Sequence, residues 1–186
     1  MNQDVMLSIR PKWCEEITSG RKEIEVRKSR PKQEPPFRCF IYETQGRTDT
    51  PWMDEDGHVI FKGRGAVIAE FVCDRIYLFS TSKSLKGDCD ISDDDMIRLS
   101  RLSIKELTDY EYSAPPKEFS LYNIGLYGWH ITGLKVYDKP LPLSEFCTGS
   151  SVFSWNKEGR TVYTGMKRAP QSWCYVAFAD PRRDST

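Results

Sequence analysis

Lys22, Glu25 and Arg27 bring an ammonium, a carboxylate and a guanidinium close together in the run Gly20-Arg21-Lys22-Glu23-Ile24-Glu25-Val26-Arg27. A carboxylate beside two cations can act as a base or accept a hydrogen bond. The ammonium can polarise a carbonyl, and the guanidinium can grip a carbonyl or phosphate oxygen. All of this requires the three heads on one side of the backbone. On a strand, Glu25 and Arg27 share one face and Ile24 and Val26 the other. Lys22 falls on the apolar side of a regular strand. It reaches Glu25 only if the chain bends between Gly20 and Lys22, which glycine permits. Without that bend the same residues make a solvated, charged strand face, which is an ordinary arrangement.

The elements that would position these groups are short. Residues 5–9, an apolar run, read as a strand, and Pro11 suits the first position of a helix because it has no N–H to leave unpaired there. Trp13, Cys14 and Ile17 give that helix a buried stripe, and Gly20 ends it. The chain re-enters a strand where Ile24 and Val26 alternate with Glu23, Glu25 and Arg27.

Gly20-x-Lys22-x-x-Glu25-x-Arg27 resembles the G-x-K-x-x-E-x-R signature of the ASCH family, whose members have a PUA-like β-barrel. Leu7-Ser8-Ile9-Arg10-Pro11-Lys12-Trp13 resembles the family's first strand and helix. Tyr127-Gly128-Trp129-His130-Ile131 and Pro170-Gln171-Ser172-Trp173-Cys174-Tyr175-Val176 resemble the closing strands of its phage and bacterial, prophage-like branch. The likeness touches both ends of the chain and leaves the middle poorly matched. It implies an α+β fold: a PUA-like mixed β-barrel with a short helix after the first strand and a two-helix insertion. One domain over 1–186 is expected, with 45–64, 80–118 and 148–167 as insertions or long loops.

Two functions follow from the resemblance. The first is binding of RNA, a nucleotide or a modified nucleoside in a charged cleft. Its candidate ligand-binding residues are Arg10, Trp13, Lys22, Glu25, Arg27, Trp129 and Trp173. Basic stretches at 21–38 and 160–168 would flank the cleft, and Trp13, Trp129, Trp173 and Tyr175 would offer stacking faces. The second is a small metal-independent hydrolase, resembling the acylated-cytidine amidohydrolases or acting as a ribonuclease. Its candidate catalytic residues are Lys22 and Glu25, with Glu70 as a third. The amidase-type motif keeps the lysine matching Lys22 but has threonine where this chain has Glu25, which removes the hydroxyl such a mechanism uses. A site with Lys22 polarising a carbonyl and Glu25 as base remains chemically open. No nucleophile or metal set can be assembled from the sequence, so binding is the favoured reading, and a ligand-free adaptor ranks third.

Composition narrows the classes. The 186 residues carry 27 basic and 27 acidic side chains, 39% apolar residues and 12% aromatic ones. This is a globular balance without the basic excess of bulk duplex binders. Cys14, Cys39, Cys73, Cys89, Cys147 and Cys174 form no C-x-x-C pair, and His58 and His130 lie far apart, so no zinc site or other cofactor is expected. No apolar run approaches membrane-spanning length, and scattered thiols suit a reducing cytoplasm. The oligomeric state is left open.

The remaining chain supplies further expectations. Residues 28–36, basic and broken by prolines, make a loop. Residues 38–44 make a strand, and 45–64 a polar hairpin with Trp52 or Met53 tucked against the barrel. In 65–79, the longest β segment, Val67, Ala69, Phe71 and Cys73 should share one face, and Ile68, Glu70, Val72 and Asp74 the other. Glu70 is a lone acid there, either a site carboxylate or the partner of a basic residue on the next strand. Ser92 with Asp95 and Ser103 with Glu106 mark two capped helices. Residues 121–137 and 172–178 make closing strands, with His130 a hydrogen-bonded strand residue, and the tail from 180 frays.

Overall fold

The order of turns and helix signals sets the order of elements. The computed structural model of the chain describes residues 3–45, 52–53, 59–60, 63–113, 125–148, 153–155, 161–163 and 165–178, with the four shortest of these segments (52–53, 59–60, 153–155 and 161–163) described by backbone alone. Strand β1 (Asp4–Ile9) leads into helix α1 (Pro11–Thr18) with Pro11 in its first turn. Gly20 follows in the left-handed region at φ +75°. Then come β2 (Ile24–Arg27), β3 (Phe37–Glu43), the paired β4 (Trp52–Met53) and β5 (Val59–Ile60), and the long β6 (Ala66–Phe79). A 3-10 turn at Lys83–Asp88 precedes α2 (Asp93–Ser100) and α3 (Ile104–Tyr112). The chain closes with β7 (Leu126–Leu141), β8 (Phe146–Cys147), the paired β9 (Phe153–Trp155) and β10 (Thr161–Tyr163), and β11 (Trp173–Phe178).

Seven strands form one mixed sheet in the order β2-β7-β6-β3-β1-β11-β8. Among the described residues, β1 and β3 are the one parallel pair within it. The sheet curls, because Arg27 on terminal strand β2 donates to the Ser8 carbonyl on β1 at 2.8 Å. Side chains from β1, β3, β6, β7 and α1 meet inside the curl, where Leu7, Cys14, Ile17, Ile41, Phe71 and Trp129 are buried. This α+β architecture has the short helix after β1 and the helical pair between β6 and β7.

Both helices of the pair are capped as their sequences require. Ser92 Oγ accepts the Asp95 N–H, and Ser103 and Glu106 complete a reciprocal capping box. Met96 of α2 and Leu107 of α3 pack with Ile24, Val26, Phe79 and Leu126. The helical pair thus covers the outer face of β2, and both faces of that strand are buried. The solvated charged face is therefore not what forms.

One face assignment on β6 is corrected. Ile41 pairs with Ala69 but Tyr42 pairs with Val67, leaving Ile68 as an extra residue. This bulge sends Val67 into a cluster with Met6, Phe40, Phe146 and Val176, while Ile68 joins Ala69, Phe71 and Cys73 in the curl. The side chains of Trp52, Met53, Tyr122, Ile124 and Arg160, and the tail from 180, lie outside the described residues.

Candidate functional site

The bend that the three charged heads require is built from backbone hydrogen bonds. The Glu16 carbonyl accepts from the N–H groups of both Arg21 and Lys22, at 3.0 and 2.9 Å, while Gly20 N–H reaches the Ile17 carbonyl. Lys22 is thereby turned off the apolar side, and β2 starts only at Ile24. Lys22 Nζ lies 3.4 Å from Glu25 Oε2, and Arg27 NH2 lies 3.1 Å from Glu25 Oε1. The carboxylate is held between two cations. Both members of the first pair are deeply buried, Lys22 2% exposed and Glu25 5%.

Other elements complete the arrangement. Lys22 Nζ donates to the Ser100 carbonyl at 2.6 Å, and Glu23 N–H donates to the Leu99 carbonyl at 2.8 Å. The end of α2 therefore anchors the segment that carries the ammonium. Arg101, left-handed at φ 60°, turns the chain there and pairs with Glu16, which also binds Arg21. Among these heads, the Arg27 Nε is buried without a hydrogen-bond partner.

A cavity of about 580 Å³ opens onto these groups. Of the residues expected to bind, Arg10, Trp13, Lys22, Glu25 and Arg27 line it, and Leu102, Glu106, Tyr110 and Gln171 are among the other residues of its wall. Trp13 is half-buried, with Lys22 Nζ 5.1 Å and Lys12 Nζ 4.8 Å from its ring. Glu106 and Tyr110 come from α3, and Leu102 from the turn between α2 and α3. The four-residue spacing of Glu106 and Tyr110 is the one sequence signal that could have placed these two on a common helix stripe.

Three expected site residues lie elsewhere. Trp129 is fully buried, edge-on to Phe37 at 5.8 Å. It sits directly across from Glu25 in the β2–β7 register, so the two side chains share the inner face of the sheet, but Trp129 does not line the cavity. Trp173 packs beside Trp129 and donates its ring N–H to Ser29 Oγ at 3.0 Å, also off the cavity wall. Glu70 borders a different hollow, where it accepts from the Tyr137 hydroxyl at 2.7 Å and lies 3.6 Å from Lys135. A strand partner satisfies the lone acid, and it does not join Lys22 and Glu25. His130 is likewise hydrogen-bonded, to Asp74 at 2.7 Å.

Burial pushes the Lys22 pKa below its ordinary value; Glu25 opposes this, and Arg27 adds to the lowering. The neighbouring Cys14 thiol is pushed up by burial first and then by Glu43 and Glu25, so it is no nucleophile. Because the folded value for Lys22 lies below the unfolded one, its charge weighs against folding at neutral pH. That penalty is relieved as pH rises from the folded value towards 10.5. Stability of the parent relative to Lys22→Met should therefore climb through this window and level off above it. Urea unfolding of both chains from pH 7 to about 11 checks this, and a flat or falling difference would refute it. Among the described residues no cluster of three or more His, Cys, Asp or Glu could hold a metal, and no helix is long and apolar enough to cross a membrane.

No protein-family model and no curated protein matches the chain. Among solved structures, the crystal structure of ASCH from Zymomonas mobilis superposes with a TM-score of 0.55 at 14% identity, covering 98% of this chain and 92% of that one. The chain has the ASCH fold. A tyrosine-to-phenylalanine variant of the Zymomonas mobilis protein gives a TM-score of 0.57 at 14% identity, over 99% and 97% of the two chains. A serine-to-alanine variant gives 0.57 at 14%, over 98% and 94%. The ASCH likeness extends over nearly the whole chain, including the middle that the sequence motifs leave unmatched.

Proposed function

We propose that this chain is a binding module for RNA, a nucleotide or a modified nucleoside, and that the base enters the cavity above Glu25. The observation that carries this is a cavity of ligand size whose inner end is the buried Lys22–Glu25–Arg27 chain. Glu25 accepts from a base amino group, and the Arg27 guanidinium on the cavity wall supplies a donor for a carbonyl or phosphate oxygen. Trp13 offers the ring that a base stacks on. Arg10, at the exposed N-terminus of α1, serves the sugar-phosphate end.

Hydrolysis is the second reading, favoured by one observation: a buried ammonium with a depressed pKa lies 3.4 Å from a carboxylate on the cavity wall. Titration with ribonucleosides, nucleotides and short RNAs, followed by tryptophan fluorescence and product analysis, separates the two. Binding without product, weakened at least tenfold in Glu25→Gln and Lys22→Ala, fits the module. Turnover of an acylated cytidine or an RNA by the parent chain alone would make it an enzyme. Neither effect would leave an adaptor.

A further inference from the structure

We infer that Tyr110 is a stacking platform for the bound base and that α3 thereby restricts the cavity to a single unpaired base; this rests on the binding function proposed above. Tyr110 shares the cavity wall with Leu102 and Glu106, one stripe running along the α2–α3 corner and α3. Its ring is fixed from other directions. It packs against the cluster of Ile24, Val26, Met96 and Leu107. Lys28 Nζ sits 5.3 Å from its centroid and donates to Ser113 Oγ at 3.0 Å, just past the end of α3. Glu106 is itself committed to the capping box, with Oε2 accepting from the Ser103 N–H and hydroxyl. The wall is thus built on a helix whose start is locked by that box and whose end is tied to Lys28.

Trp13 brings a second aromatic ring into the same cavity from α1. Two aromatic rings from separate helices, with a buried carboxylate and guanidinium at the inner end, suit a flat ring with a polar edge. A base inside a duplex offers no such face, since its stacked neighbours cover both sides. A base must leave the stack to use this cavity. The ligand class is therefore a free nucleotide or an extruded, unpaired base of a single strand.

Equilibrium dialysis of the four ribonucleoside monophosphates, a short single-stranded RNA and its duplex tests this on the full chain, on Tyr110→Leu and on Tyr110→Phe. The leucine variant should lose roughly 5- to 150-fold in affinity for each nucleotide the parent binds, and the phenylalanine variant should stay within about twofold. Binding of ribose 5-phosphate should not differ among the three, and the duplex should bind far more weakly than the single strand. In the unaltered chain with nucleotide bound, NMR should show cross-relaxation between base protons and the Tyr110 ring, a readout that needs no variant to fold. Parent-like binding by Tyr110→Leu, equal losses in both variants, missing cross-relaxation or equal duplex affinity would each overturn the inference. A parent chain that binds no nucleotide or RNA fails the proposed function instead.

Discussion

Glu25→Ala should lower the unfolding free energy by about 3–5 kcal/mol, the usual effect of removing one member of a buried ion pair. The reason is what stays behind. Lys22 and Arg27 would face each other with their shared counter-charge gone, and Lys22, 2% exposed, cannot turn out to water without breaking its 2.6 Å bond to the Ser100 carbonyl. Urea unfolding at neutral pH gives the number, and a loss under about 0.5 kcal/mol would show that the carboxylate is not holding the cations. Repeating the substitution in a Lys22→Met background should give a smaller loss, since one of the two stranded charges is absent. A coupling of about 0.5–3 kcal/mol is expected from that cycle.

Trp129→Ala should cost a similar amount, about 3–5 kcal/mol, for a different reason. Trp129 is fully buried, touches Phe37 edge-on and Trp173 at a tilt, and lies across the strand pair from Glu25. Its removal opens a void in the interior of the curled sheet and takes no contact surface from the cavity. Trp129→Phe keeps most of the packing and should retain both the fold and ligand affinity. A stable Trp129→Ala chain that has selectively lost binding would return this tryptophan to the cleft.

The legible parts of the fold were those with local causes. Pro11 and Gly20 bracket α1 because one lacks a donor and the other tolerates a positive φ. Ser103 with Glu106 announces α3 because the two side chains and two backbone N–H groups satisfy each other over three residues. The meeting of Lys22 with Glu25 was legible only as a condition, since it depends on which carbonyl takes the N–H groups of Arg21 and Lys22. Distant partners stayed hidden. Nothing near Glu25 in the sequence says that α2 will cover the back of β2 and that the Ser100 carbonyl at its end will hold Lys22 beside the carboxylate. Glu70 stood out as a lone acid, yet its partners Tyr137 and Lys135 lie on β7, on the far side of the helical insertion. Trp13 lies on helix α1 and Trp129 on strand β7, and residue type alone does not say which is filler and which is wall; the packing of β7 against β2 inside the curl decides it.

The bond from Lys22 to the Ser100 carbonyl spans 78 positions of chain. Its consequence is a shared ownership of the chemistry between a compact N-terminal unit and a later excursion. Grafting the signature segment into another barrel would transplant the charges without the setting that tunes them. Exchanging the excursion for one from a relative would alter the amine's basicity and the outline of the hollow in a single event, so the two properties would be inherited together.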